Sequence, residues 1–179
     1  MKVECLPANL HNSPDRIPEL VRAKIRSARG RFGRVMVLYA DCGTGGALDK
    51  VVAEEGCERM PGAHCYEAFT GSAAFHELIA DSPGCFFLTD FLARSFKRLV
   101  FQGLGLDRYP KLRKKYFGKY TKVVYLSQRD DPELLKRAQE AADSIGLPLE
   151  RRFTGYGEYE AFLARAVGGG EDAPCTPSA

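Results

Sequence analysis

Short apolar runs alternate with amphipathic segments along almost the whole chain. Residues 35–40 and 84–89 consist largely of apolar side chains, which is typical of strands that are covered on both faces of a parallel sheet. The segments between such runs carry helix start and stop signals and a helical spacing of apolar residues. Because strands that alternate with helices usually form parallel sheets, we predict a three-layer α/β fold. It would be Rossmann-like, with a mainly parallel sheet and helices on both faces.

The predicted elements follow from this alternation and from the turn residues between the runs. Strands are expected at residues 2–6, 35–40, 57–60, 84–89, 122–126 and 149–153. Helices are expected at residues 17–28, 47–55, 69–78, 91–101, 110–118, 133–145 and 155–167. Residues 1–166 are therefore predicted to form a single α/β domain. The glycine-rich and polar residues 167–179 have the composition of a disordered tail.

Composition limits where the protein acts and what it binds. The formal net charge is only +3, no apolar run reaches the roughly 18 residues that a membrane helix needs, and the first residues lack the apolar region of a secretory signal. We therefore expect a cytoplasmic protein that contacts no membrane. Basic residues interleave with aromatic ones at 109–120. This pattern is interpreted as a solvated helix face, so nucleic acid is not an expected partner.

The loop DCGTGG at residues 41–46 joins the predicted strand 35–40 to a helix. Its glycines, Gly43, Gly45 and Gly46, permit close backbone approach and are predicted to contact a cofactor or anion at the helix start. Neither GxGxxG nor GK[ST] is present, so no nucleotide is predicted. The helix start is also expected to lower the pKa of Cys42 and to favour its thiolate.

A second loop, PGAHCYE at residues 61–67, contains Cys65 and His64. Loops that leave neighbouring parallel strands lie close together, so Cys65 is expected near Cys42, with His11 as a third group. Two cysteines and a histidine suit zinc, and thiolates suit an iron–sulfur cluster. Cys5 and His64 are weaker ligand candidates. The spacing is not diagnostic, since no CxxC pair is present, and buried, unreactive cysteines remain the alternative.

Cys42, His64 and Asp90 are candidates for catalysis, with His11 as an alternative to His64. Cys42 could be a nucleophile at a helix start, with His64 or His11 as its base and no metal. Asp90 follows the predicted strand 84–89 and is either the cap of the next helix or a carboxylate presented to the ligand crevice.

Several separated segments resemble the bacterial branch of domain of unknown function family 1638. They are YADCGTGGALDKVVAEEGCERMPGAHCYEAF, FFLTDFLARSFKRLVFQGLGLDRYPKLRKKYFGKY and TGYGEY. The resemblance implies that Cys42 and Cys65 are the family's motif cysteines. It also implies an association with corrinoid-dependent methyltransferases and their corrinoid proteins, but no established activity.

The resemblance further implies an N-terminal strand that ends in an alanine-cysteine-glycine motif. This chain begins downstream of that strand, which leaves two alternatives. Either the start was chosen downstream of the true one, and a third thiolate joins Cys42 and Cys65, or the third thiolate is lost. In the second case Cys5 or His11 substitutes for it, or the site is incomplete. The leading hypothesis is a metal- or iron–sulfur-binding protein, accessory or catalytic in corrinoid-dependent methyl transfer. The alternatives are a metal-free thiol enzyme with Cys42 as nucleophile and a metal-free module that docks a methyltransferase or corrinoid protein.

Overall fold

The structure is a computed structural model that describes residues 2–81 and 83–168, with only the backbone described at 166–168. The chain divides into two compact units, Met1–Ala68 with Gly157–Ala179, and Phe69–Tyr156. The prediction of a single domain over residues 1–166 stays a prediction. The predicted tail lies outside the described residues from position 169 onward.

The first unit is built from short helices and one pair of parallel strands. Its elements are two 3-10 turns at Ala8–Asn12 and Pro14–Arg16, α1 (Ile17–Ala28), β1 (Met36–Val37), α2 (Ala47–Glu54), β2 (Glu58–Arg59), the start of α3 (Cys65–Thr70) and α8 (Glu158–Gly168). β1 and β2 pair in parallel, with Met36 opposite Glu58. The amide of Met60 then donates to the carbonyl of Val37 at 2.8 Å, so backbone pairing continues beyond the two-residue strands.

Apolar faces of α1 and α2 form the main core of this unit. Its fully buried members are Leu10, Ile17, Val21, Ile25, Val37, Leu48 and Val52. Glu55 directly follows α2 and its carboxylate is buried. It pairs with Arg22 and Arg26 of α1 and with Arg29, the residue after α1. A buried charge is tolerated only when it is paired, so this cluster fixes α1 against the end of α2. A smaller cluster joins Met60 and Ala68 to Phe162 of α8.

The second unit contains a three-stranded parallel sheet in the order β3-β4-β5. Its elements are α4 (Ser72–Asp81), β3 (Cys85–Thr89), α5 (Asp90–Phe96) with a π-helical continuation at Lys97–Gln102, α6 (Leu112–Phe117), β4 (Lys122–Ser127), α7 (Pro132–Ile145) and β5 (Leu149–Phe153). The central strand β4 is buried over its last five residues. Asp131 caps α7 by accepting from the amides of Glu133 and Leu134.

The mixed α/β class and the parallel pairing of strands are confirmed. The predicted strand at residues 2–6 is wrong, since the structure assigns that segment neither strand nor helix. Val3 is 70% exposed there, and no strand within the described part of the chain pairs with the segment to satisfy its backbone groups. The predicted helix over 69–78 is interrupted at Gly71, whose φ of 82° separates α3 from α4. No helix among the described residues is both long and apolar enough to cross a membrane.

Candidate active site

Two loops at the carboxyl ends of β1 and β2 run side by side in the first unit. The amide of Asp41 donates to the carbonyl of Gly62 at 3.1 Å, and the amide of Cys42 donates to the carbonyl of Ala63 at 2.9 Å. These bonds continue the parallel pairing of the strands into the loops. They hold Cys42 against the segment that leads into Cys65, as the positions of the two loops in the sequence predicted.

Cys42 has a backbone conformation that is unusual for a residue with a side chain. Its φ is 51°, and no other non-glycine residue in the described part of the chain has a positive φ. The left-handed region costs an L-residue about 1–2 kcal/mol, so the loop must hold Cys42 in place. Such strain is concentrated at functional sites, so the conformation of Cys42 marks this loop as a candidate site.

The carboxylate of Asp41 organises the glycine-rich loop. It accepts hydrogen bonds from the hydroxyl of Thr44, from the amide of Gly45 at 3.0 Å and from the amide of Gly46 at 2.9 Å. Burial opposes ionisation of Asp41, but these donors outweigh it and lower the pKa of its carboxyl. The amides of Gly45 and Gly46 thus bind an anion that belongs to the chain itself. The predicted contact of Gly43, Gly45 and Gly46 with a cofactor stays a prediction.

Three donors converge on the sulfur of Cys42. The thiol of Cys65 donates to it, as do the imidazole of His11 and the backbone amide of Cys65. The hydrogen bond from the Cys65 thiol is the largest cause that lowers the pKa of Cys42, and together the donors bring it from its usual 9.0 to about 5. The lowered pKa agrees with the expectation for Cys42, and its largest cause is the side chain of Cys65, with His11 and the Cys65 amide adding to it. The predicted contribution of the start of α2 stays a prediction.

The partners of Cys42 show the reciprocal effects. The hydrogen bond to Cys42 raises the pKa of the Cys65 thiol, and burial raises it further. The same hydrogen bond raises the pKa of His11 against the opposing effect of burial. Nδ1 of His11 also lies 3.3 Å from the carbonyl oxygen of Ala8. These shifts favour a thiolate on Cys42, a proton on the Cys65 sulfur and a positive charge on His11.

Sequence reasoning missed three residues that surround this site. The ring of Tyr39 stacks on His11 with 6.3 Å between ring centroids. Burial, followed by the charges of Cys65 and Cys42, raises the pKa of Tyr159. Arg59 binds Asp49 through two nitrogens and the carbonyl of Met60 through a third.

For two of these residues, the sequence offered only their position as an indication. Tyr39 lies three residues before Cys42, and Tyr159 lies in TGYGEY, one of the segments that resemble the family. Arg59 gave no signal, because its guanidinium comes under the influence of the Cys42 charge only in the folded chain.

The remaining candidates are Cys5, His64 and Asp90, and the charge of Cys5 acts on Tyr39 together with the charges of Cys42 and Cys65. Cys5 and His64 are exposed, and no hydrogen bond joins either side chain to Cys42. Asp90 belongs to the second unit, where its buried carboxylate accepts from the hydroxyl of Tyr125 at 2.7 Å and from the amide of Gln128 at 3.1 Å. The expectation that Asp90 caps α5 is wrong, because the hydroxyl of Thr89 accepts from the capped amide and Asp90 is the first helical residue.

The three predicted metal ligands lie close together, but they are not arranged as a metal site. Cys42, Cys65 and His11 meet through hydrogen bonds to one sulfur. Among residues 2–81 and 83–168, however, no group of three or more His, Cys, Asp or Glu side chains is arranged to hold a metal ion. What the geometry provides directly is a thiolate with an adjacent acid and an adjacent second thiol.

Fold and site together define a mixed α/β protein with a cysteine–histidine–cysteine cluster at the ends of parallel strands. Residues 5–163 match the model of the family described as Protein of unknown function (DUF1638). The chain therefore belongs to that family, as its motifs indicated. No curated protein and no solved structure matches the chain.

Proposed function

We propose that the protein acts through Cys42 as a thiolate nucleophile that attacks an electrophilic substrate. The observation that carries the proposal is the convergence of the Cys65 thiol, the Cys65 amide and the His11 imidazole on one sulfur atom. A thiolate, not a thiol, is the reactive form of cysteine. Hydrogen bonds from three donors stabilise that form before any substrate arrives.

The neighbours of Cys42 have separate parts in this chemistry. The negative charge of the Cys42 thiolate favours protonated His11. When Cys42 forms a bond to the substrate, that charge is lost, and His11 can donate its proton to the departing group. The hydrogen bonds of Asp41 hold the loop shape and so maintain the left-handed backbone of Cys42. Arg59 adds a positive charge whose own pKa is raised in part by Cys42.

A zinc ion or an iron–sulfur cluster is the alternative occupant of these residues. Two thiols and an imidazole form a donor set that zinc accepts, and a bond from Nδ1 of His11 to a backbone carbonyl is a common support for a ligating histidine. Against this, the described residues contain no group of three such side chains arranged for a metal. The hydrogen bonds on the Cys42 sulfur also account for the cluster without one, so thiolate chemistry is the better-supported proposal.

Two broader proposals rest on other grounds. Association with a corrinoid protein or a methyltransferase in one-carbon metabolism is proposed from the resemblance alone, and a cytoplasmic location stays a prediction from composition. The Rossmann-like three-layer arrangement is proposed from the parallel order β3-β4-β5 and from the helices that connect these strands.

A metal-free module that docks a corrinoid protein or a methyltransferase is the remaining alternative. It would need neither a reactive Cys42 nor a metal.

One preparation separates these possibilities. The full chain is purified without oxygen, its zinc and iron contents are measured, and it is treated with limiting iodoacetamide in mildly acidic buffer. Peptide mass spectrometry then quantifies labelling at each cysteine. We expect metal-free protein in which Cys42 is alkylated ahead of the other cysteines.

Two results would count against the proposal. Stoichiometric zinc or iron that both Cys42→Ser and Cys65→Ser remove would establish the metal alternative. If the protein is metal-free and Cys42 is not labelled preferentially, both the metal site and the thiolate nucleophile are rejected, and the docking module is the remaining proposal.

A further inference from the structure

The Cys42 thiol has a second thiol beside it. The amide of Cys42 donates to the carbonyl of Ala63 at 2.9 Å, and the amide of Asp41 donates to the carbonyl of Gly62 at 3.1 Å. These backbone bonds hold Cys42 against the segment that leads into Cys65. Both cysteines are free and half-buried, so adjoining loops bring two reduced sulfurs to one site.

We propose that Cys42 and Cys65 form an exchange pair whose substrates are disulfides. This inference rests on the proposed function and names its substrate class. If the acceptor were an acyl or alkyl group, the Cys65 thiol would serve only as a hydrogen-bond donor, which the Cys65 amide and His11 already provide. A disulfide substrate uses the second thiol as well, because it releases the bound half of the substrate.

The first step is attack by the Cys42 thiolate on one sulfur of the substrate disulfide. A bond forms between the Cys42 sulfur and that atom, and the substrate's sulfur–sulfur bond breaks with its electron pair on the departing thiolate. Attack removes the negative charge that favoured the imidazolium of His11. The His11 proton therefore passes to the departing thiolate, which leaves as a thiol.

The second step is attack by Cys65 on the Cys42 sulfur. The bond between Cys42 and the remaining half of the substrate breaks, and the proton of Cys65 goes to the second departing thiolate. The products are two substrate thiols, a Cys42–Cys65 disulfide and a neutral His11. Two electrons have moved from the two cysteines to the substrate, so charge, atoms and electrons balance.

The test uses the reduced full chain with oxidised glutathione as the probe. Wild type, Cys65→Ser, Cys65→Ala and Cys42→Ser are incubated with it, quenched by acid and analysed by peptide mass spectrometry. Cys85→Ser is the matched control, because Cys85 is a half-buried thiol of β3 in the second unit. Circular dichroism checks that each variant is folded, and the two substitutions of Cys65 provide independent readings.

In wild type and Cys85→Ser we expect a Cys42–Cys65 disulfide with little glutathione retained. In both Cys65 variants we expect glutathione to stay on Cys42, at about tenfold or more above the wild-type level, because no thiol resolves the mixed disulfide. An adduct that persists on Cys42 equally in wild type and in the Cys65 variants would overturn the exchange pair and leave the nucleophile intact. Absence of any preference for Cys42 in every variant would instead overturn the proposed function.

Discussion

Acidification distinguishes Cys42 from an ordinary thiol more sharply than any measurement at neutral pH. The site brings the pKa of Cys42 from 9.0 to about 5. At about pH 7 this makes Cys42 roughly 100-fold richer in thiolate than a thiol of the usual pKa. A thiolate of lower pKa is, however, a weaker nucleophile. With a Brønsted coefficient of about 0.45, the lower pKa reduces the rate constant of the thiolate roughly 60-fold. The net gain in rate near neutral pH is therefore less than about twofold.

At about pH 5.5 the balance changes. Roughly three-quarters of Cys42 remains thiolate, whereas only about 0.03% of an ordinary thiol does, so the ratio of thiolate fractions exceeds about 2,000. After the same loss of nucleophilicity, Cys42 should react about 40-fold faster than the reference thiol. The predicted result is a rate ratio that rises more than tenfold between these two pH values.

The assay is competition between the protein and a short cysteine peptide for dithiodipyridine, with labelling of Cys42 quantified at the peptide level. Competition in one solution cancels the effect of pH on the reagent. Cys65→Ala should reduce the ratio in acid more than His11→Gln does, because the hydrogen bond from Cys65 is the largest cause of the lowered pKa. A ratio for wild type that does not change between the two pH values would refute the reasoning.

Three further predictions concern the stability of the folded chain, measured as the free energy of unfolding in urea. Cys42→Gly should be more stable than Cys42→Ala by about 1 kcal/mol, because glycine adopts the observed positive φ without strain; equal stabilities would contradict the strained backbone. Asp41→Ala should lower the free energy of unfolding by about 1–2 kcal/mol through loss of its hydrogen bonds to the loop. Since folding lowers the pKa of Asp41 below 3.8, this contribution is present above that pH and is lost as the pH falls through the folded value, so variant and wild type should converge in strong acid. Tyr125→Phe should cost about 1.5–3 kcal/mol, because its hydroxyl donates to the buried carboxylate of Asp90, whereas Tyr116→Phe, at a 43% exposed ring, should change little.

Elements whose signals are local could be predicted from the sequence. α7 begins at a capping aspartate, Asp131, and ends at Gly146, which has a φ of 76°. β4 is a continuous apolar run and is the central strand of its sheet. In these cases side-chain chemistry within a few residues decides the structure, so no knowledge of distant contacts is needed.

Features that depend on distant contacts could not be predicted. Thr89 and Asp90 are both good helix caps, and the choice of Thr89 is linked to the buried contacts of Asp90 with Tyr125 and Gln128, more than thirty residues away. The apolar run at 35–40 contributes only the two paired residues of β1, because β2 is equally short.

The candidate site shows the same division between local and distant information. The sequence indicated that Cys42 and Cys65 lie close together, because the loops that follow parallel strands meet. His11 was added to them for a wrong reason, since it lies in a 3-10 turn and does not follow a strand at residues 2–6. The sequence did not indicate the left-handed backbone of Cys42 or the use of two loop amides by Asp41. The backbone of Cys42 is paired with the other loop through the carbonyl of Ala63, which no local pattern encodes, whereas the hydrogen bonds of Asp41 stay within its own loop.

The protonation state of Cys42 is the central claim, and carbon NMR of cysteine-labelled protein measures it most directly. The Cβ resonance of Cys42, assigned by its loss in Cys42→Ser, should titrate with a pKa of about 5, while the resonance of Cys65 should show a protonated thiol to well above pH 9.0. A Cys42 resonance that remains that of a protonated thiol through neutral pH would contradict the account.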